Sequence, residues 1–402
     1  MDRVQNSQAR AIDMAIQLAD RLIDEGGTFV TARQQMRSGP GLGGDAGIAI
    51  FMAAMSQVTS ETKYESGLHA YMKAATRVID PRARGMFAGL SGLLATCRYV
   101  MRVEPRYEGL LQRCARALAD ATPVYEPAAS FREYDIVSGR AGEAISFAQA
   151  VGVESARVSC DYLAWLVQDY RRWRCPHPRV SDGGPVNDLG IAHGLAGILV
   201  ALALSAPFEP KYDEALTAGF RYLCSQREQT GAMGWPGSVP PRGTNVRSAW
   251  CYGTPGCAMA LLLGAKRLGM SELEAVARDA LQSLMAQPIE RWNMPDHALC
   301  HGHLGNALIF AVAAQETGDV DFLAVSNMLV DRALEGFCEE STWGYRAWAP
   351  QGFVDLSNLL EGTAGIGLAL LTLAGACDSS WMSYFGLPTL RNTCRTAAKS
   401  PR

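Results

Sequence analysis

Arg247-Ser-Ala-Trp-Cys-Tyr-Gly-Thr-Pro-Gly256 closes on Gly-x-x-Gly and runs straight into an apolar segment, Cys257 to Gly264. Leu299-Cys300-His301-Gly302-His303-Leu304-Gly305 echoes it and is again followed by an apolar run. A glycine pair at this spacing, placed just ahead of a helical stretch, lets the chain turn tightly and lets helix ends approach closely. Such a pattern, once repeated, is the signature of a repeat architecture.

The same turn occurs seven times, beginning at Gly44, Gly89, Gly139, Gly194, Gly253, Gly302 and Gly362. Subtracting these positions gives steps of 45, 50, 55, 59, 49 and 60 residues. Each turn leads into a run that is apolar nearly all round, and a helix with no polar face is buried on every side. Between the runs lie amphipathic stretches: Ala9 to Ile23, Glu108 to Ala121, Ser155 to Tyr170, Tyr212 to Cys224, Glu272 to Met285 and Asp321 to Leu334. Residues from Ser60 to Val78 follow the pattern less cleanly. Stripes of this kind suit outer helices with one wet face. Seven outer and seven inner helices then predict an all-α fold, an α/α toroid of seven hairpins, in which inner helices find complete burial by closing the ring. All 402 residues are expected to form one domain with no inserted domain. The seven turns would gather at one end, with helix N-termini facing a common mouth.

Composition bounds the function. A formal net charge of −3 and the lack of a long basic run exclude a nucleic-acid footprint. The 11 cysteines are odd in number, and Cys97, Cys114, Cys160, Cys224 and Cys377 fall in helical stretches as small hydrophobes, which points to a reducing compartment. The first residues carry no apolar signal core, and the longest apolar run, Leu189 to Ala206, is short for a membrane span. A cytoplasmic protein that does not cross a membrane is expected. Loops Arg174 to Asp188, Arg227 to Asn245, Arg291 to Ala298 and Glu339 to Ser357 precede the last four inner helices. Trp235, Trp343 and Trp348 within them either line a groove for an extended substrate or anchor the loops to the body.

Cys251 and Cys300 stand at equivalent places in adjacent repeats, and His301 follows Cys300. Two thiolates and an imidazole neutralise Zn2+ and leave a fourth position open, the ligand count of a catalytic zinc. The plain alternatives are buried structural cysteines and a hydrogen-bonded histidine. His303 is a competing ligand, and Cys175-Pro-His177 is a second Cys/His pair without an echo elsewhere.

The run Trp250-Cys-Tyr-Gly-Thr-Pro-Gly256, then Leu299-Cys-His-Gly-His-Leu-Gly305, with Ile191-Ala-His-Gly-Leu-Ala-Gly197 before them, resembles the lanthionine cyclase (LanC) family. The resemblance spans the chain, because the seven turns are also that family's pattern. It implies one Zn2+ per chain on Cys251, Cys300 and His301, and further site residues at Asp135, His193, Arg247 and Tyr252. The implied activity is thioether formation in a ribosomal precursor peptide whose Ser or Thr residues are already dehydrated. A cysteine thiolate of the peptide adds to dehydroalanine or dehydrobutyrine and forms a lanthionine or methyllanthionine ring. His193 would serve as acid and as first base, Asp135 would orient it, and Arg247 or Tyr252 would stabilise the enolate. A separate dehydratase is implied, as is the option of a synthetase complex that holds the protein at the membrane periphery.

Each residue also has a plain reading. Asp135 could cap the third inner helix, His193 could be a satisfied core histidine, Arg247 could pair with a surface carboxylate, and Tyr252 could simply pack. The toroid serves other chemistries as well. Prenyltransferase β subunits add an aspartate to their zinc ligands, and terpene cyclases need an Asp-rich motif not found here. A toroidal glycosidase would need paired carboxylates such as Asp135 and Glu361, leaving the Cys/His set unexplained. The alternative from another class is a non-catalytic LanC-like zinc protein that binds glutathione or another thiol.

Overall fold

The computed structural model describes residues 2–25, 40–77, 79–120, 122–176, 184–227, 234–241 and 247–391. Among these are fourteen α-helices, numbered here in chain order. The seven inner helices are α2 (Asp45–Val58), α4 (Leu90–Val100), α6 (Arg140–Ala150), α8 (Leu195–Ser205), α10 (Thr254–Leu268), α12 (His303–Thr317) and α14 (Thr363–Leu373). The outer ones are α1 (Asp2–Asp24), α3 (Thr62–Ala75), α5 (Glu108–Ala119), α7 (Arg157–Val167), α9 (Asp213–Ser225), α11 (Ser271–Met285) and α13 (Val320–Glu335). The stretch that matched the pattern least cleanly, Ser60 to Val78, contains the regular helix α3.

Burial follows the two kinds of pattern. In α8, Leu195-Ala-Gly-Ile-Leu-Val-Ala-Leu-Ala203 is buried without a break, whereas α5 buries only Cys114 and Leu118. Each inner helix packs on the next, and α14 packs on α2, so the ring closes. The outer helix that follows an inner one covers it, as α3 covers α2 and α13 covers α12. Among the described residues the seventh inner helix has no such follower. Its cover is α1, from the other end of the chain, so the first helix completes the last hairpin. Side-chain burial, the strongest non-directional term available, carries this joint, and α1 adds hydrogen bonds from Ser7 to Asp331 and from Arg21 to Ser341 O.

The glycines do the work their spacing predicts, through close approach. A Cβ on the second glycine of any of the seven turns would fall inside van der Waals contact of the carbonyl oxygen five or six residues earlier, for example Leu299 for Gly305 and Trp250 for Gly256. That curl also caps the helices. No inner helix has a side-chain N-cap; instead Ala141, Ala196 and Thr363 donate their N–H groups back to Tyr134, Leu189 and Leu356.

Backbone hydrogen bonds lace neighbouring turns together. Phe87 donates to Val137 (3.0 Å), Ala192 to Cys251 (3.5 Å), Cys251 to Cys300 (3.2 Å) and Cys300 to Leu360 (3.0 Å). Every residue in that series stands two places before its Gly-x-x-Gly turn. The turns therefore sit at one end of the ring in matched register.

The loops form two small antiparallel sheets. Asn187–Asp188 (β1) pairs with Ser238–Val239 (β2), and Arg346–Ala349 (β3) with Gly352–Asp355 (β4). Two of the three loop tryptophans take the anchoring one of their two readings. Trp235 is buried and its indole N–H donates to Leu223 O at 2.8 Å, and Trp343 is buried as well. Only Trp348 keeps an exposed face. No helix among the described residues is long and apolar enough to cross a membrane.

Candidate metal and acid–base site

Counting back from the first glycine of each turn organises the site. Two places before stand Cys251 and Cys300; one place before stand His193, Tyr252, His301 and Glu361. Four places before stands Asp135, and six places before stand Asp188, Arg247 and Asp296. Because the turns share a register, residues scattered over more than 200 positions converge on one end of the ring.

Cys251, Cys300 and His301 each offer a ligand atom, and these atoms lie within 4.8 Å of one another. The lacing bond from Cys251 N to Cys300 O sets the two thiols side by side. The fifth turn differs from the other six, because Gly253 adopts φ +83°, a conformation that disfavours any side chain. A hydrogen bond joins the two thiols. Hydrogen bonding from Cys300 lowers the Cys251 thiol to about 7 despite its burial, with help from the charges of His301, Arg247 and His193. Cys300 is held up by its contact with Cys251 and by burial.

His301 is buried, and its Nε2 lies 3.2 Å from Asp296 Oδ2. The contact has ion-pair distance but poor alignment, and Nε2 closes no hydrogen bond. Burial lowers the His301 pKa, but Asp296 outweighs it and the net direction is up. Burial likewise acts to raise Asp296, and the His301 contact brings it below its ordinary value. Asp296 is fixed by Ala298 N (3.0 Å) and Trp348 N (2.9 Å). A buried imidazole beside two sulfurs, with a carboxylate against its Nε2, fits a Zn2+ site. The competing ligand His303 is not part of the cluster: its Nδ1 contacts Asp296 O at 2.7 Å and its ring stacks on His297 at 4.8 Å. Cys175 is buried against the Tyr134 hydroxyl, and His177 lies outside the described residues.

Asp135 makes contacts on two sides. Its Oδ1 accepts from Ser138 N (2.6 Å) and Gly139 N (2.9 Å), which braces the third turn. Its Oδ2 lies 2.6 Å from His193 Nδ1. Burial raises the Asp135 pKa by more than His193 pulls it down. Burial also acts to lower His193, but the bond to Asp135, with the charges of Asp135, Asp188 and Cys251, takes it above its ordinary value. The His193 ring packs on Phe131 at 4.6 Å and faces Tyr252 at 6.4 Å between centroids.

The Tyr252 hydroxyl donates to Asp188 Oδ2 at 2.7 Å. The Arg247 guanidinium lies 4.4 Å above the Trp348 ring, so it stacks on an aromatic face and not on a surface carboxylate. Asp188 and Asp296 are absent from the sequence-derived set. The signal that would find them is their shared register position, six before the turn.

Of the other cysteines, Cys97, Cys114, Cys160 and Cys377 are buried and their thiols are raised by burial; Cys224 is half-buried, less enclosed than its sequence suggested. None of the ten described cysteines forms a disulfide.

Comparison with known proteins bears on the family and the fold. Residues 42–385 match the family described as "Lanthionine synthetase C-like protein". Among solved structures, nisin cyclase superposes with a TM-score of 0.66 at 17% identity, covering 87% of this chain and 93% of that one. At that identity the likeness speaks for the fold, an α/α toroid. A sugar epimerase from a ruminal bacterium and cellobiose 2-epimerase from Bacillus thermoamylovorans match at TM-scores of 0.40 and 0.41, each with 11% identity and over four-fifths of this chain covered, too distant to bear on function. With the seven-turn ring and a family match over most of its length, the chain belongs to the lanthionine synthetase C-like family.

Proposed function

We propose that this protein is a zinc-dependent lanthipeptide cyclase, joining cysteines of a dehydrated ribosomal precursor peptide to dehydroalanine or dehydrobutyrine as thioether rings. The observation that carries the reading is the meeting, at one end of the ring, of the Cys251–Cys300–His301 donor set and the Asp135–His193 pair. A protein that only captured a thiol would use the donor set and have no need of an acid–base pair.

Cys251, Cys300 and His301 would hold one Zn2+ per chain. What Zn2+ supplies when bound there is acidification of an incoming thiol. The protein groups handle the rest. Asp135 occupies His193 Nδ1, which leaves Nε2 to meet the substrate. Nε2 takes the thiol proton; sulfur then bonds to the β-carbon, and the alkene electrons move onto the carbonyl oxygen. Nε2 returns the proton to the α-carbon, so the addition is balanced with no co-reactant. The Arg247 guanidinium is the group for the enolate charge, because the single Tyr252 hydroxyl proton is already given to Asp188. Dehydration falls to a separate dehydratase, with which the cyclase would share a synthetase complex.

Incubation of zinc-loaded protein with a dehydrated precursor peptide, followed by thiol alkylation and mass spectrometry, counts rings directly. Cyclisation leaves peptide mass unchanged and removes alkylatable thiols. Thiols that remain fully alkylatable at enzyme excess would overturn the cyclase reading.

A further inference from the structure

We propose that Asp188 is a positioning residue that registers the His193 turn against the Cys251–Tyr252 turn; the catalytic part of this inference rests on the cyclase reading above. Asp188 lies on β1, paired with Ser238 of β2. Its two carboxylate oxygens face different repeats. Oδ1 accepts from Gly190 N at 2.9 Å, at the start of the segment that carries His193. Oδ2 accepts the Tyr252 hydroxyl at 2.7 Å, in the next turn and next to Cys251.

The surroundings are shaped for this bridge. Gly190 leaves the space that the Tyr252 ring fills: a Cβ there would come within 2.7 Å of Cδ1 and 2.8 Å of Cε1. The same glycine keeps its Cα against Cys251 O, beside the Ala192 N to Cys251 O lacing bond. Asp188 is itself buried, with the first glycine of the fourth turn packed on it. One carboxylate therefore ties the segment leading to the acid–base histidine to the residue that follows a sulfur of the metal cluster.

Asp296 stands at the same register position two repeats on. Its Oδ1 also accepts from the N–H two residues ahead, and its Oδ2 also turns to a site residue, His301. The repeated geometry makes Asp188 one instance of a device used twice: a carboxylate six before the turn, with one oxygen closing its own loop and the other aiming a side chain at the mouth.

With its proton committed to Asp188, Tyr252 holds its ring toward His193. In Asp188→Asn the side-chain oxygen still closes the Gly190 bond, while the amide must donate to the Tyr252 oxygen. The hydroxyl proton is released and the aim of the ring is lost with little change in volume.

The test combines kinetics with a readout that needs no turnover. Tyr252 is replaced by 3-fluorotyrosine, and its 19F resonance is recorded in zinc-loaded protein with Asp188 and with Asp188→Asn. A single sharp line that shifts or splits in the variant is expected; an unchanged line overturns the positioning role. In the ring-forming assay, Asp188→Asn should lower kcat about thirtyfold with KM within twofold and zinc content unchanged, the pattern of misplaced groups. Asp188→Asn combined with Tyr252→Phe should be no slower than the slower single variant. Multiplying losses, or a kcat within twofold of the parent, would overturn the inference. A parent protein that forms no rings sinks the cyclase reading, while the 19F comparison still decides whether Asp188 sets Tyr252.

Discussion

His193 Nδ1 and Asp135 Oδ2 lie 2.6 Å apart, and the carboxylate is wholly buried while one-fifth of the imidazole side chain is exposed. The bond orients the ring of the proposed acid–base residue and favours its charged form. Only the neutral ring can accept a thiol proton, so activity should rise with pH through the His193 value. Because Asp135, Asp188 and Cys251 together raise that value, the rising limb should lie above ~6.5, the ordinary imidazole range. Asp135→Asn removes the largest raising influence and moves the limb to lower pH. The plateau should fall by about 10^2, since the ring also loses its orientation. Ring-formation rates measured from pH 5 to 9 check both effects; a limb that stays in place assigns it to another group.

Zinc binding should be separable from the proposed acid–base pair. Purified protein should contain about one zinc per chain, the occupancy of a single four-coordinate site. Cys251→Ala and Cys300→Ala should each lose the metal, and His193→Asn should keep it while losing turnover. Cys257→Ala is the control, since that thiol is buried, raised by burial and outside the cluster. Cobalt substitution reports the same set through sulfur-to-metal charge-transfer bands, which should weaken when either cluster cysteine is removed. Full zinc content in both cysteine variants would reject the donor set.

Asp296 gives a graded version of the same test. It supports His301 without belonging to the donor cluster, and such supporting carboxylates typically contribute 10- to 100-fold in metal affinity. Asp296→Asn should therefore raise the zinc dissociation constant by about that factor while the ring stays folded. Competition against a chromophoric chelator measures it, with circular dichroism confirming the helix content. An unchanged dissociation constant would reduce Asp296 to a loop brace for Ala298 and Trp348.

The contrast between residues that could be found from sequence and those that could not has a physical cause. Cys251, Cys300 and His301 sit one or two places before a glycine turn, where the turn itself marks them. Asp188 and Asp296 sit six places before, in segments with no local pattern, and their meaning depends on contacts that only the fold supplies: Tyr252 of the next turn for one, His301 and Trp348 N of β3 for the other. The tryptophans stay undecided in the sequence for a related reason. An indole in a loop looks like a recognition group, but Trp235 is held by a carbonyl of α9 that no sequence period reveals. The pairing of α1 with α14 is likewise invisible locally, since a stripe announces burial and not the partner.

The glycine spacing that organises the fold can be tested where chemistry plays no part. In Gly305→Ala the new Cβ would meet the Leu299 carbonyl oxygen, a backbone atom held by its own turn. Relief requires the turn to open, and with it the lacing bonds on either side of Cys300. The expected loss is about 2 kcal/mol or more, at the upper end of overpacking costs. Gly184→Ala is the matched control: that glycine is exposed, nothing lies within 4 Å of its Cβ position, and the change should stay within ~0.5 kcal/mol. Chemical denaturation of the two variants, both with zinc removed, separates the turn's contribution from that of the metal. Equal stabilities would mean that the close approach of helix end and carbonyl is incidental, and that the ring holds its turns together by some other contact.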